Sequence, residues 1–336
     1  MHATLYPHGL PTGHAVATTA GALRATWIIH TVGPVYADSS DPAGELACCL
    51  GGRRYRDRCR TQGEMTAEDA AGCTASCRTT DERRRSFDQM AQLYARARGA
   101  PPPELLDAVA VFVPPPADAL EIGCGPGNAS LPLLERGFRI HAVELGENLA
   151  AFARERLAAF PFTVEVGKFE DASLQAASVD LVVCSSAFHW LDREHALRQV
   201  VNVLKPGGAL ALIWGSPRRT AEDNRVDEAI QAAYRAHAPE ISRETVDRMG
   251  GKVDEIGQAV RDKPELCDFE ERLFPQTHLF DRQRYLDLLA TFSDHATMPA
   301  EQRARLFEAI GEIIDGQFDG RVERHSTARL QLARRR

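Results

Sequence analysis

The chain has 336 residues, 44% of them apolar and 26% charged, enough for one large domain or two modest ones around a real core. Its net charge of -7 argues against nucleic acid as the main partner, because neutralising phosphates requires a basic face. With no membrane-length apolar run, no basic-then-apolar leader and eight dispersed cysteines, it reads as a cytoplasmic protein without a membrane partner.

Residues 1–50 read as turns with one strand, "WIIHTVGPVY" (27–36), and 51–85 as a polar, Arg-rich linker without periodicity. From residue 86 strand and helix signals alternate strictly, which predicts a parallel α/β sheet. "SFDQMAQLYARAR" (86–98) is a helix with Phe87, Met90, Ala91 and Tyr94 on one face, and "PELLDAVAVFV" (103–113) is a second with proline in its first turn. Strand "ALEI" (119–122) leads through three glycines into helix "ASLPLLERG" (129–137). "FRIHAVEL" (138–145), "FTVEVG" (162–167) and the near-continuous apolar "VDLVVCSS" (179–186) are the next strands. Helices occupy 147–160 and 192–204, the second with a stripe of Leu197, Val200, Val201 and Leu204. "KPGG" ends that helix before the strand "ALALIWG" (209–215). A polar helical insert is expected over about 220–263, then two strands around "FEERLFP" (269–275) and "RVERHSTARLQLA" (321–333).

The glycine loop, "ALEIGCGPGNAS", places Gly123, Gly125 and Gly127 after a buried strand. A dinucleotide loop wants glycine at its sixth position, where this chain has Asn128, and a P-loop wants a Gly-Lys-Ser/Thr that is absent. Glu121 stands two residues before Gly123. Beside a pyrophosphate it would be repulsive by about 4 kcal/mol per charge pair at 4 Å and an effective dielectric near 20. Beside an ammonium and a sulfonium it is an asset, which points to S-adenosylmethionine, whose lack of phosphate leaves the glycines to permit close backbone approach. Glu144, at the next strand end, suits two ribose hydroxyls. Phe169 is expected to cover an adenine face, with Glu170 or a nearby amide at its polar edge.

These stretches, with "VELGENL", "GKFEDASLQAASVDLVVCSSAFHWLD" and "VLKPGGALALIW", resemble a class I S-adenosylmethionine-dependent methyltransferase of the type 11 branch over about 86–336. The resemblance implies a Rossmann-like seven-stranded mixed sheet flanked by helices, here preceded by a poorly structured N-terminal extension. It implies that Glu121, Gly123, Cys124, Gly125 and Asn128 surround the methionine part of the cofactor. Glu144 and Leu145 would meet the ribose side, Phe169 and Glu170 the adenine, and Ser185 would stand at the end of the fourth strand. "FDQMAQLYARAR" is similar to a family segment whose Tyr94 and Arg98 cover the cofactor, although "ARGAPPP" departs from the family's continuation.

Displacement at a sulfonium asks mainly for alignment and exclusion of water, with a general base only for an acceptor that must lose a proton. His189, in "SSAFHW", is the histidine at a ligand-facing strand end, and an imidazole near its unperturbed pKa suits that task. Its other reading is structural, packing or capping the next helix beside Trp190. Cys48, Cys49, Cys59, Cys73 and Cys77 lack zinc-ligand spacing, so no metal is expected. The slot after the fourth strand reads "CSSAFHW" instead of an Asn/Asp-Pro-Pro-Tyr/Phe element, and no Pro-Cys occurs. Both favour a small-molecule acceptor, by O- or carboxyl-methylation, over nucleic acid.

Residues 9–49, with "TGxAxxT" and "IIHTVGPVY", resemble the middle of a macro domain, the ADP-ribose module. Its adenine-contacting aspartate and glycine-rich phosphate loop are not matched, so a fragment without ADP-ribose activity is expected. Two rival readings stay open: an ADP-ribose binder or hydrolase, and a cofactor-binding but catalytically silent methyltransferase homologue.

Overall fold

The computed structural model describes residues 15–19, 27–31, 88–241 and 244–336. The chain divides into two units, Met1–Thr80 and Asp81–Arg336. In the first, strand β1 (Ala15–Thr19) pairs antiparallel with β2 (Trp27–Thr31), from Ala15 opposite Thr31 to Thr19 opposite Trp27. The sequence predicted only the second of these. The remainder of that strand, the Arg-rich linker and Cys48, Cys49, Cys59, Cys73 and Cys77 lie outside the described residues.

The second unit is built on seven strands: β3 (Ala117–Ile122), β4 (Phe138–Glu144), β5 (Phe162–Val166), β6 (Val179–Ser185), β7 (Leu204–Pro217), β8 (Leu266–Asp281) and β9 (Arg321–Arg335). Their spatial order is β5-β4-β3-β6-β7-β9-β8, with β9 antiparallel to both neighbours and the other contacts parallel. This is the mixed seven-stranded sheet expected. The central strand β6 explains its own sequence: Leu181, Val182, Val183 and Cys184 are all fully buried, because helices cover both faces of a parallel sheet.

Helices α1 (Ala91–Ala97), α2 (Pro103–Phe112), α3 (Ser130–Glu135), α4 (Glu147–Arg156) and α5 (Arg193–Val203) follow in chain order. One sheet face closes on Leu105, Leu106 and Val109 of α2 with Leu133 of α3. The other closes on Leu197, Val200 and Val203 of α5. Val203 joins this face in addition, and the predicted Val201 packs against it partly buried. Each such fully buried side chain contributes on the order of 2 kcal/mol. Asp192 starts α5 by accepting from the His195 amide at 2.8 Å.

Two features extend the prediction. The strand after "LKPGG" begins at Leu204, because Leu204 pairs with Val179 across an irregularity before Ala209 pairs with Leu181. The expected insert is two helices with different partners, α6 (Ala221–His237) and α7 (Glu244–Arg261). Val253, Ile256 and Val260 of α7 join the second sheet face. Val226, Ile230 and Tyr234 of α6 instead join a third cluster with α8 (Arg282–Ala290) and α10 (Ala300–Gln317). The latter two, with the short α9 (Ser293–Ala296), fill the connection between β8 and β9, where sequence had offered no helix. Phe280 and Val322, on the two long strands, carry that helical cluster.

Candidate functional site

The carboxyl ends of β3, β4 and β6 converge on the glycine loop, at the edge where open α/β sheets hold ligands. Gly123 has φ +66°, and its amide donates to the Val143 carbonyl at 2.9 Å. A Cβ there would sit 2.8 Å from that of Ala187, so only glycine admits the approach of the segment after β6. Gly125 also has positive φ, +55°, with no atom within 4 Å of a Cβ, which leaves the loop's outer side open.

Two carboxyl groups stand under this loop with contrasting hydrogen-bond partners. Glu144 Oε2 accepts from the Gly125 amide at 2.8 Å, and Oε1 accepts from the Gly146 amide at 2.9 Å. Burial pushes its pKa up, against these amide bonds, which favour the charged form. Glu121 is 1% exposed, and its Oε2 accepts from the Ser130 hydroxyl at 2.6 Å. Its Oε1 has no partner among the described residues. Burial pushes Glu121 up to about 7, with Glu144 adding to the effect and the Ser130 bond opposing it. The Cys124 thiol, buried and 3.5 Å from the Gly125 carbonyl, is pushed well up and is inert.

Asn128 is tied on both sides: its Nδ2 donates to the Arg98 carbonyl and its Oδ1 accepts from Arg156, each at 2.6 Å. Arg98 then reaches away from the loop, donating from Nε to Thr291 at 2.8 Å and lying over the rings of Tyr94 and Phe292. Its backbone and side chain thus tie the glycine loop to the helices after β8. Leu145, Glu170 and Ser185 are partly buried at the ends of β4, β5 and β6. Phe169 departs from expectation. It is 2% exposed in the core with Leu120, Val143 and Phe188, which leaves no ring face for an adenine. A residue that begins a strand-to-helix turn beside an apolar sheet face is drawn into it.

His189 lies in a short 3-10 turn, Phe188–Trp190, with its ring 4.7 Å from Trp190 and 6.1 Å from Trp214. Burial, helped by the charge of Lys252, holds it down at about 4 instead of the unperturbed value used above, and its Nδ1 has no partner among the described residues. At neutral pH it is an uncharged imidazole whose Nδ1 is buried.

Four contributors escaped sequence reasoning. Asp88 accepts from the amides of Asn148 and Leu149 at 2.8 and 3.0 Å, closing the start of α4. Ser130 partners Glu121, Thr291 holds Arg98, and Gln331 receives the Trp214 indole N–H at 3.1 Å. Asp88, Ser130 and Gln331 lay within quoted stretches and Thr291 did not, but the partner of each is set by the fold.

Residues 120–212 match the family model of a methyltransferase domain, and residues 3–51 match that of a macro domain. Residues 120–212 are thus similar to a methyltransferase domain. An uncharacterised methyltransferase of Mycobacterium tuberculosis is 29% identical over 237 residues, covering 68% of this chain and 85% of that protein. A solved structure from Anaeromyxobacter dehalogenans designated a type II methyltransferase is 25% identical, with TM-score 0.51, covering 71% of this chain and 97% of that one. The N-terminal segment is 49% identical over 71 residues to a macro domain-containing protein of Streptomyces nogalater, covering 21% of this chain and 36% of that protein. The methyltransferase match encloses the glycine loop, Glu121, Glu144, Glu170 and His189. Among the described residues no helix is long and apolar enough to cross a membrane.

Proposed function

We propose that this methyltransferase domain moves a methyl group from S-adenosylmethionine to an oxygen of a small hydroxyl- or carboxyl-bearing acceptor. We read the chain as a macro-like segment (1–50), a linker (51–85) and the transferase domain (86–336), in a cytoplasmic setting. The observation that carries the reading is the pair of carboxylates under an open glycine loop, one with an uncommitted oxygen. A ligand with positive charge and no phosphate is favoured there over a phosphate-bearing one, because carboxyl groups can answer a cation and not an anion.

Glu144 would hold the ribose. Each of its oxygens accepts one amide and keeps a lone pair for a hydroxyl. Leu145 and Glu170 would flank the adenine, now without Phe169. The loop amides and Glu121 would face the methionine part, with Ser185 alongside and Tyr94 and Arg98 covering it. S-adenosylmethionine supplies a sulfonium-activated methyl group, so the chain's own work is alignment and exclusion of water. The Trp190 and Trp214 rings beside His189 form an apolar wall suited to that. The neutral His189, well below the pKa of an efficient base, would act chiefly as a hydrogen-bond partner orienting the acceptor oxygen.

The test is a transfer screen with methyl-tritiated S-adenosylmethionine against hydroxy and carboxylic acids, alongside titration with ADP-ribose. Label transferred to a small acceptor and lost in His189→Ala supports the reading. Cofactor binding without transfer to any acceptor would make the domain a silent homologue. Binding of ADP-ribose alone would shift the function to the macro-like segment.

A further inference from the structure

Glu121 has a chemistry that alignment of the methyl group does not use. It is buried at the end of β3 with one hydroxyl partner, Ser130, and one unpartnered oxygen. The groups around it bring no compensating cation. β4 contributes a second carboxyl group, Glu144, whose oxygens accept from the Gly125 and Gly146 amides and whose pKa burial also pushes up. The loop contributes the Cys124 thiol and β6 the Cys184 thiol, both pushed up by burial and so neutral. α3 contributes the Ser130 hydroxyl, and Arg154 of α4 bears on Cys124.

A buried carboxyl without a cation keeps its proton, because desolvation penalises the charged form. A cation brought alongside reverses that balance.

We infer that Glu121 is a proton-coupled cation acceptor: a positively charged ligand entering the glycine-loop site displaces its carboxyl proton, and the site thereby prefers S-adenosylmethionine over uncharged adenine nucleosides. The carboxyl O–H bond breaks, the proton leaves to solvent, and the ligand's positive charge takes its place beside the carboxylate. The charge inside the site is unchanged by the exchange. Burial that sets the free carboxyl near 7 puts the coupling in the neutral range. The inference rests on the reading of the loop given under Proposed function.

The experiment is calorimetric titration of the full chain with S-adenosylmethionine at pH 6.0 and 7.5, each in two buffers of different ionisation enthalpy. 5'-Methylthioadenosine, which lacks both positive charges, is the control ligand. The sulfonium keeps its charge at both pH values, and with an ordinary α-amino pKa of about 7.7–8.0 roughly 60–75% of the ligand's ammonium groups stay protonated at pH 7.5. Proton release close to one per site at pH 6.0 is expected, with affinity rising roughly eightfold to pH 7.5 for a group near 7. The control should show neither effect. Glu121→Gln should abolish the pH dependence. Ser130→Ala should move it to higher pH, because the lost hydrogen bond favoured the charged form. S-adenosylmethionine binding equally at both pH values, with no proton released, overturns the coupling while leaving the loop as the cofactor site. Binding of neither ligand at either pH overturns the reading of the loop and the inference together.

Discussion

The carboxylate of Asp88 accepts the backbone amide of Asn148 at 2.8 Å across sixty positions of chain. It also accepts from the Leu149 amide and the Asn148 side chain, so it does for α4 what a local cap does elsewhere. Gly146 makes room for it, since a Cβ there would lie 2.5 Å from Asp88 Oδ1. Removing the cap as Asp88→Ala should cost about 1 kcal/mol. In a unit of this size that lowers Tm by roughly 2–4 °C, readable by thermal unfolding.

The helical cluster after β8 should weaken in acid. His295 is 4% exposed, hydrogen-bonded to the Tyr234 hydroxyl at 2.8 Å, and held by burial at about 4. Its folded pKa lies below the unfolded one, so its neutral form contributes full stability above about 6.5. That contribution is lost as pH falls from 6.5 toward 4, on the order of 3 kcal/mol in all. Urea unfolding at pH 7.5 and 4.5 should show a smaller loss for His295→Leu than for the natural chain.

Glu121 acts in the opposite sense. A carboxyl whose folded pKa is raised to about 7 contributes stability below its unfolded value near 4.5, and that stability is lost as pH rises through 7. Glu121→Gln, which cannot ionise, should therefore be more stable than the natural chain at pH 8 without ligand, by on the order of 3 kcal/mol, and nearly equal to it at pH 4.5. A natural chain that keeps the carboxyl gives up stability for a ligand, a common trade at binding sites.

Gly257 of α7 faces Gln331, whose Nε2 would lie 2.5 Å from an added Cβ. Gln331 cannot easily yield: it is 2% exposed, accepts from Trp214 and donates to Glu271 at 3.0 Å. Helix propensity alone would make Gly257→Ala stabilising by up to about 1 kcal/mol. The crowding should reverse the sign and destabilise by about 1–3 kcal/mol. The indole N–H signal of Trp214 should shift in the same variant as its bond to Gln331 is disturbed.

The centre of the sheet was legible because its strands are apolar runs bounded by glycine or a helix, as in "VDLVVCSS", and because "ALEIGCGPGN" fixes the first turn. Glu121 and Glu144 were legible as carboxylates at strand ends. Their different partners were not, because the Gly125 and Gly146 amides reach Glu144 while only Ser130 reaches Glu121. Phe169 was misjudged: its neighbours in sequence are polar, and its burial comes from Leu120 and Val143 on other strands. The helices between β8 and β9 went unread. Their apolar residues, Tyr285, Leu289, Leu306, Ile310 and Ile314, are sparse among charges and become a face only against α6. His189 could be located from "AFHW", but its neutrality depends on burial beside Trp190 and Trp214.

The most direct test of the glycine loop as the S-adenosylmethionine site is the affinity of Glu144→Ala against the natural chain at pH 7.5. The variant removes the acceptor of both loop amides and the proposed ribose contact in one change. Binding at least tenfold weaker, about 1.4 kcal/mol or more, with unfolding still cooperative, is the predicted result. Unchanged affinity would place the cofactor elsewhere and contradict the account.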